Sequence, residues 1–322
     1  MQSNSSDTIR NPQSAIRNPK SKIQNPKPTK DDTHTALLMA APALLGLLLF
    51  VALPFLLALI ISFTNLRLGS PLPLQFLGLE QYRRVWLDPN FRQALFNNGL
   101  FALVMVPMQT ALALGLALLL NRSLPGIAIF RTIFFMPVVF PMALVAVIWT
   151  IIYAPRANGM MNALLSSVTF GLWQPRDFLN DPALALPAIM LLSLWQGAGF
   201  QMVIILAGLQ SIPIALYEAA SIDGSNKWNQ FRYITIPQLR NTLIFVMLVT
   251  SILSFRLFDQ IQIMTQGGPN GATTTVMYEA VKASFEQQKM AKGAAMTVIF
   301  FAIVLVITSL QRILVPEESS ID

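Results

Sequence analysis

Five stretches of this 322-residue chain contain no Asp, Glu, Lys or Arg: 33–66, 93–121, 132–155, 182–217 and 293–311. A sixth apolar stretch, 241–264, is interrupted only by Arg256 and Asp259. A helix crossing a bilayer needs about 20 mostly apolar residues at a rise of 1.5 Å each. All six stretches are long enough, and the sequence predicts spans over 37–63, 99–120, 133–153, 184–208, 241–264 and 294–314. Buried helices of a soluble domain are the competing reading, and composition argues against it. Hydrophobic residues make up 54% of the chain and charged residues 11%, where soluble domains carry about 25% charged. The same figures argue against a disordered chain and against a nucleic-acid binder, despite the net charge of +7. With no cysteine, the chain has no disulfide framework, thiol chemistry or Cys-ligated metal. A single histidine, His34, excludes a His-rich metal site and most His-based catalysis. The predicted fold class is therefore all-α: a polytopic membrane protein of six transmembrane helices.

Pro42, Pro54, Pro107, Pro137 and Pro141 fall inside these runs. Within a bundle, neighbouring helices can satisfy the carbonyls that proline frees. These prolines are therefore read as kinks, not boundaries. Residues 1–35 differ in kind, being polar and carrying an Ile-x-Asn-Pro near-repeat every seven residues at Ile9, Ile16 and Ile23. Proline at that interval prevents a continuous helix, and little apolar area is there to offset the entropy of ordering. The predicted organisation is a disordered tail over 1–35, a transmembrane domain over 36–316 and a short tail over 317–322. The first span reads as an uncleaved anchor. With an even number of spans both termini share one side. That side holds 12 Lys and Arg residues against 9, but 6 against 9 without the N-terminal tail. The positive-inside rule thus leans towards cytoplasmic termini without settling them.

The segment 209–240 between the fourth and fifth spans is no simple linker. Pro213 suits the start of a short helix over 214–222, and Gly224 is placed to end it. Trp228, Phe231 and Ile234 follow at three-residue spacing. Two short helices with a glycine elbow make a knob outside the bilayer, either a protein-docking surface or an interfacial helix on lipid.

These residues carry a family resemblance. Glu218-Ala219-Ala220, three residues, Gly224, nine residues, then Ile234-x-Ile236-Pro237 resembles the EAA loop of binding-protein-dependent ABC importer permeases. Ile236 in place of leucine is the one departure. Further matches are Phe76-x-Gly78-x-x-x-Tyr82, Phe130-Arg131 through Met136-Pro137, Trp149, Gly159 and Asn162. Trp195-Gln196-Gly197, Phe258-Asp259 and Met264-Thr265-x-Gly267-Gly268-Pro269 complete the set. Together they are similar to the carbohydrate branch, the larger permease subunits of maltose, lactose and glycerol-3-phosphate importers.

The resemblance implies a transport subunit, not an enzyme, and places the EAA loop and both termini in the cytoplasm of a bacterial plasma membrane. The chain has no G-x-x-x-x-G-K-[ST] phosphate loop. ATP and Mg would therefore be bound by partner subunits, leaving no cofactor in this chain. The implied partners are a related second permease subunit in a heterodimer, two ATPase subunits and an extracytoplasmic solute-binding protein, with a sugar-like substrate. The implied coupling residues are Glu218, Ala219, Ala220, Asp223, Gly224, Ile234 and Pro237. Asp223 also reads as a solvated surface residue.

Polar groups inside the membrane are expensive and are functional candidates. Trp195, Gln196, Gly197 and Phe200 lie in the middle of the fourth span; Thr250, Ser254 and Leu257 share a face of the fifth at i, i+4 and i+7. Amides and hydroxyls with an aromatic face suit a sugar. The hydroxyls equally suit bonds to their own i−4 carbonyls, and Gly197 equally suits close helix packing. Arg256 and Asp259 read as an internal ion pair at the bilayer edge, with Asp259 on the pathway as the alternative. Gly267-Gly268-Pro269 reads as a turn. The segments 76–98 and 155–181, with Tyr82, Trp86, Phe91, Trp173 and Phe178, read as amphipathic pieces on the outer surface. An ion-driven secondary transporter is the competing function. It calls for acidic groups at mid-membrane and an internal repeat, whereas only Asp259 qualifies and no six-span duplication is seen.

Overall fold

The computed structural model describes residues 30–122 and 124–314. Of the predicted tails, 1–29 and 317–322 lie outside the described residues. The chain divides into two compact units, 1–54 and 55–322.

In the first unit, α1 (Lys30–Leu47) is followed by a π-helical turn, Leu48–Ala52. The expected boundary at residue 35 between polar tail and transmembrane domain falls inside this helix. No proline follows Pro28 until Pro42, so a helix nucleated in the apolar run propagates back to Lys30. The π turn precedes Pro54, whose ring would clash with the Phe50 carbonyl in a regular α-helix. α2 (Leu53–Ser62) carries the helix onward.

After residue 62 come α3 (Glu80–Leu87), α4 (Pro89–Leu120), α5 (Ile127–Val139), α6 (Met142–Ile152), α7 (Met160–Val168) and α8 (Ala185–Gln210). Then come α9 (Ile214–Ile222), α10 (Lys227–Gln230), α11 (Ile236–Gln238), α12 (Arg240–Phe255), α13 (Asp259–Met264), α14 (Val276–Val281) and α15 (Met290–Leu314). Among the described residues there is no strand, only an isolated bridge between Thr64 and Phe76. Five helical segments are long and apolar enough to cross a membrane: Leu38–Ser62, Pro89–Leu120, Ala185–Gln210, Arg240–Met264 and Met290–Gln311. The third predicted span is broken. α5 and α6 meet at 99°, because Phe140 takes the extended conformation that a following proline enforces (ψ 139°). Pro141 is thus a boundary and not a kink, and the pair makes a sixth crossing only if counted together. Pro107 and Pro137 do stay inside their helices.

Within the second unit α4 packs along α8 and α12, α5 on α8, and α15 on α14. The middle of α4 (Phe101, Met105) clusters with the start of α8 (Leu186, Ile189, Leu192). Their ends, Ala113 and Ala117 with Met202 and Ile205, cluster likewise, so the two helices run parallel. Lipid is as apolar as leucine, so helix association in a membrane relies on small residues and close approach. Gly199 shows this: a Cβ there would collide with the backbone carbonyl of Phe134 on α5. Arg131 donates from Nη2 to the Leu120 carbonyl at 2.8 Å, placing a cation at the C-terminus of α4, where the helix dipole favours it.

Candidate functional site

Two places collect the predicted residues. The first is the knob at the C-terminal end of α8. Pro213 caps α9 with an extended backbone (ψ 129°). At the far end Gly224 takes φ +78°. The Ser225 N–H donates to the Ala220 carbonyl at 2.9 Å and the Gly224 N–H to the Ser221 carbonyl at 3.1 Å. This pair of bonds is a Schellman motif, which needs a left-handed residue at the glycine position. Asn226 then caps α10, its Oδ1 accepting from the Asn229 N–H at 2.8 Å. Two bonds tie the returning arm to the first: the Gln230 amide donates to Ser221 Oγ at 2.9 Å, and the hydroxyls of Tyr217 and Thr235 lie 2.9 Å apart. A π turn over Phe231–Thr235 accommodates Pro237.

Glu218, Ala219, Asp223 and Gly224 are exposed on this knob, and Ala220 is half-buried. So are large apolar side chains: Ile222 is 86% and Trp228 64% exposed. Ile234 instead turns inward, packing with Tyr217 against the cluster of Leu209 and Leu239. Pro237 is exposed. Of the predicted set, Ile234 alone packs into a hydrophobic cluster, and Glu218, Ala219, Asp223, Gly224 and Pro237 stand exposed.

The second place is a cavity of about 280 Å³ between α4, α8 and the broken helix α12–α13, near the lower end of the ~300–1,000 Å³ of small-molecule sites. Gln196, Gly197, Phe200, Ser254, Leu257 and Asp259 line it. Trp195 and Thr250 do not. Trp195 stands half-exposed with its ring 5.7 Å from that of Trp149. Thr250 is consumed in packing: its hydroxyl donates to the Val246 carbonyl and accepts from the Gln201 amide, both at 2.7 Å. The i−4 reading therefore holds for Thr250. Arg256 and Asp259 form no ion pair with each other; both line the cavity. The helix break at 256–258 explains this, because the i, i+3 geometry of a continuous helix is lost there.

The sequence reading missed Gln109, Gln201 and Gln260, which also line the cavity. Gln109 Nε2 donates to the Ser193 carbonyl at 3.3 Å, and Gln260 Nε2 reaches Ser193 Oγ at 3.4 Å. Gln201 spends its amide on Thr250, while its buried Oε1 has no partner. The signal was available: Gln109 and Gln201 are polar residues inside charge-free runs. Gly197 faces Gln109, whose amide occupies the space a Cβ would take. Among the described residues no group of three His, Cys, Asp or Glu side chains could hold a metal ion.

The fold and these two sites define a polytopic helical membrane protein with a folded extramembrane knob and a polar cavity between its helices. Residues 109–319 match the family described as "binding-protein-dependent transport system inner membrane component". The chain is 35% identical to a probable ABC transporter permease protein of Pyrococcus horikoshii, over 86% of this chain and 94% of the relative. It is 34% identical to the trehalose/maltose transport system permease protein MalF of Thermococcus litoralis, over 84% and 90%. A chain in a crystal structure of a bacterial alginate ABC transporter, in complex with alginate pentasaccharide-bound periplasmic protein, superposes with a TM-score of 0.76 at 20% identity. That match covers 88% of this chain and 95% of the other and is a likeness of fold. The chain belongs to the binding-protein-dependent transport system permease family. It is a membrane-spanning transport component of an ABC importer and not an enzyme, and nothing supports the ion-driven alternative.

Proposed function

We propose that this permease moves a sugar or sugar-like solute inward, driven by ATP hydrolysis on separate subunits. The observation that carries the reading is the glycine elbow. A Schellman turn at Gly224 closes a short helix that presents Glu218, Ala219 and Ala220 at the family's spacing. In this reading two ATPase subunits, which bind ATP and Mg, grip the knob through Glu218, Ala219, Ala220 and Asp223. Gly224, Ile234 and Pro237 fix its angle to the membrane helices. Closure of the ATPases then rocks the helix bundle between outward- and inward-open forms. A related second permease subunit completes the pathway, and an extracytoplasmic binding protein delivers the solute. The knob and both termini face the cytoplasm of a bacterial plasma membrane.

Sugar-like chemistry is supported by relatives such as the trehalose/maltose permease and by the cavity's lining. Amides from Gln196, Gln201 and Gln260 and the hydroxyl of Ser254 suit hydroxyl groups, and Phe200 offers a ring for C–H surface. Asp259 supplies a charged acceptor. The test is uptake into proteoliposomes carrying permease, ATPase and binding protein. Uptake that needs internal ATP, is blocked by vanadate and survives an ionophore supports the reading; uptake abolished by the ionophore with ATP held constant contradicts it.

A further inference from the structure

A second, larger cavity of about 510 Å³ lies at the other end of the helices, where α2 ends, α4 begins and α15 begins. Four cations line it: Arg67, Arg84, Lys289 and Lys292. Its walls are fixed by backbone bonds, the Leu68 N–H to the Gln288 carbonyl at 2.9 Å and the Ala291 N–H to the Leu66 carbonyl at 3.1 Å. Lys292 is neutralised by Asp88 at 2.5 Å, and Arg84 pairs at 3.0 Å with Glu80, which also holds Arg83 at 3.1 Å. Arg67 has no ion-pair partner among the described residues, and Lys289 reaches only the neutral Gln287 Oε1 at 3.1 Å. Arg67 and Lys289 are thus without a carboxylate partner among the described residues. Gln81, nine-tenths buried, also lines the cavity, and among the described residues its side-chain amide makes no hydrogen bond.

The ends of three spans meet here, so the cavity sits at the depth of the lipid phosphates. Leu68, Leu72, Leu74 and Phe76 stand exposed on the same loop, an apolar rim that acyl chains would cover. We propose that this cavity binds the phosphate of an anionic lipid head group. Arg67 and Lys289 supply charge, and Gln81 donates to a phosphate oxygen. Lys292 and Asp88 form the structural floor. The apolar rim favours a lipid over an acidic protein surface. The inference is independent of the transported solute.

The test uses the purified importer in detergent with dihexanoyl phosphatidylglycerol as probe. Dihexanoyl phosphatidylcholine and inorganic phosphate are the comparison ligands, and binding is read by thermophoresis. The expected result is at least tenfold tighter binding of phosphatidylglycerol than of phosphatidylcholine. The double variant Arg67→Gln/Lys289→Gln should weaken it at least fivefold, while Arg92→Gln, exposed and outside the lining, leaves it unchanged. Should the double variant fail to assemble, Arg67→Gln alone, at an exposed loop position, should weaken binding at least twofold. Unchanged affinity in these variants overturns the proposal. Displacement of the lipid by equimolar inorganic phosphate overturns the lipid assignment in favour of a free anion. Loss of soluble-partner binding with lipid affinity unchanged overturns it in favour of a protein surface.

Discussion

The Tyr217 hydroxyl lies 2.9 Å from the Thr235 hydroxyl, joining the first helix of the knob to the π turn that leads back to the membrane. Thr235 is 5% exposed, so this bond is shielded from water at the base of the knob. A net contribution of about 1 kcal/mol is expected. Tyr217→Phe and Thr235→Val should each loosen the knob, and the double variant should be no worse than either single one. Limited proteolysis within 214–235 checks this: faster cleavage in all three variants, to the same extent, is the expected pattern.

Gly224 has open space where a Cβ would stand, so its constraint is backbone conformation alone. Gly224→Ala should therefore cost about 1–2 kcal/mol of elbow stability. Gly224→Asn should cost less, since asparagine tolerates the left-handed region. Membrane insertion should be normal in both. ATP-driven uptake should fall in the order glycine, asparagine, alanine; equal uptake by all three would remove the elbow from the mechanism.

Gly197 and Gly199 separate two kinds of glycine on one helix. At Gly199 an added methyl meets the Phe134 backbone, which cannot move aside cheaply. Gly199→Ala should destabilise the α5–α8 contact by about 1–3 kcal/mol and lower the yield of folded protein. At Gly197 the obstacle is the Gln109 side chain. Gly197→Ala should fold, break the Gln109–Ser193 bond and change the KM for uptake by several-fold. Thermal unfolding of both variants in detergent, beside the uptake assay, distinguishes these outcomes.

Asp88 does two jobs, capping α4 through the Asn90 N–H at 2.9 Å and pairing with Lys292. Burial pushes its carboxyl up, but the Lys292 ammonium and the α4 backbone N–H groups pull harder, so it lies below its ordinary value of 3.8. A lowered folded value means that its stabilisation is complete above about pH 4 and is lost as pH falls through the folded value. Asp88→Ala should cost about 2 kcal/mol through lost cap and lost pair; Asp88→Asn, which keeps a cap, should cost less. Melting temperatures of these variants at pH 7 and pH 3 check the sign: the gap to wild type should shrink in acid.

Much of this architecture is legible in residues alone because the cost of burying charge is local: 93–121 and 182–217 announce α4 and α8 without reference to any partner. The knob is legible for a similar reason, since Pro213 and Gly224 impose their own backbone angles. What escaped depends on neighbours. Pro42, Pro107 and Pro137 stay within helices while Pro141 ends one, and nothing in the proline itself says which. The cavity assembles Gln109, Gln201 and Gln260 from three helices whose mutual register no spacing encodes. Thr250 and Ser254 share a helical face, but only Ser254 lines the cavity, because Gln201 on another helix takes the Thr250 hydroxyl.

If an ATPase subunit holds the knob, the absence of cysteine from this chain makes a direct test simple. A single Ala219→Cys, exposed beside Glu218, is paired with cysteines scanned across the ATPase surface in the assembled transporter. The account predicts a disulfide cross-link from Ala219→Cys to the ATPase whose yield changes on ATP binding and which Glu218→Lys suppresses. No cross-link from this position, or labelling of the same cysteine by a membrane-impermeant thiol reagent from outside intact cells, would contradict it.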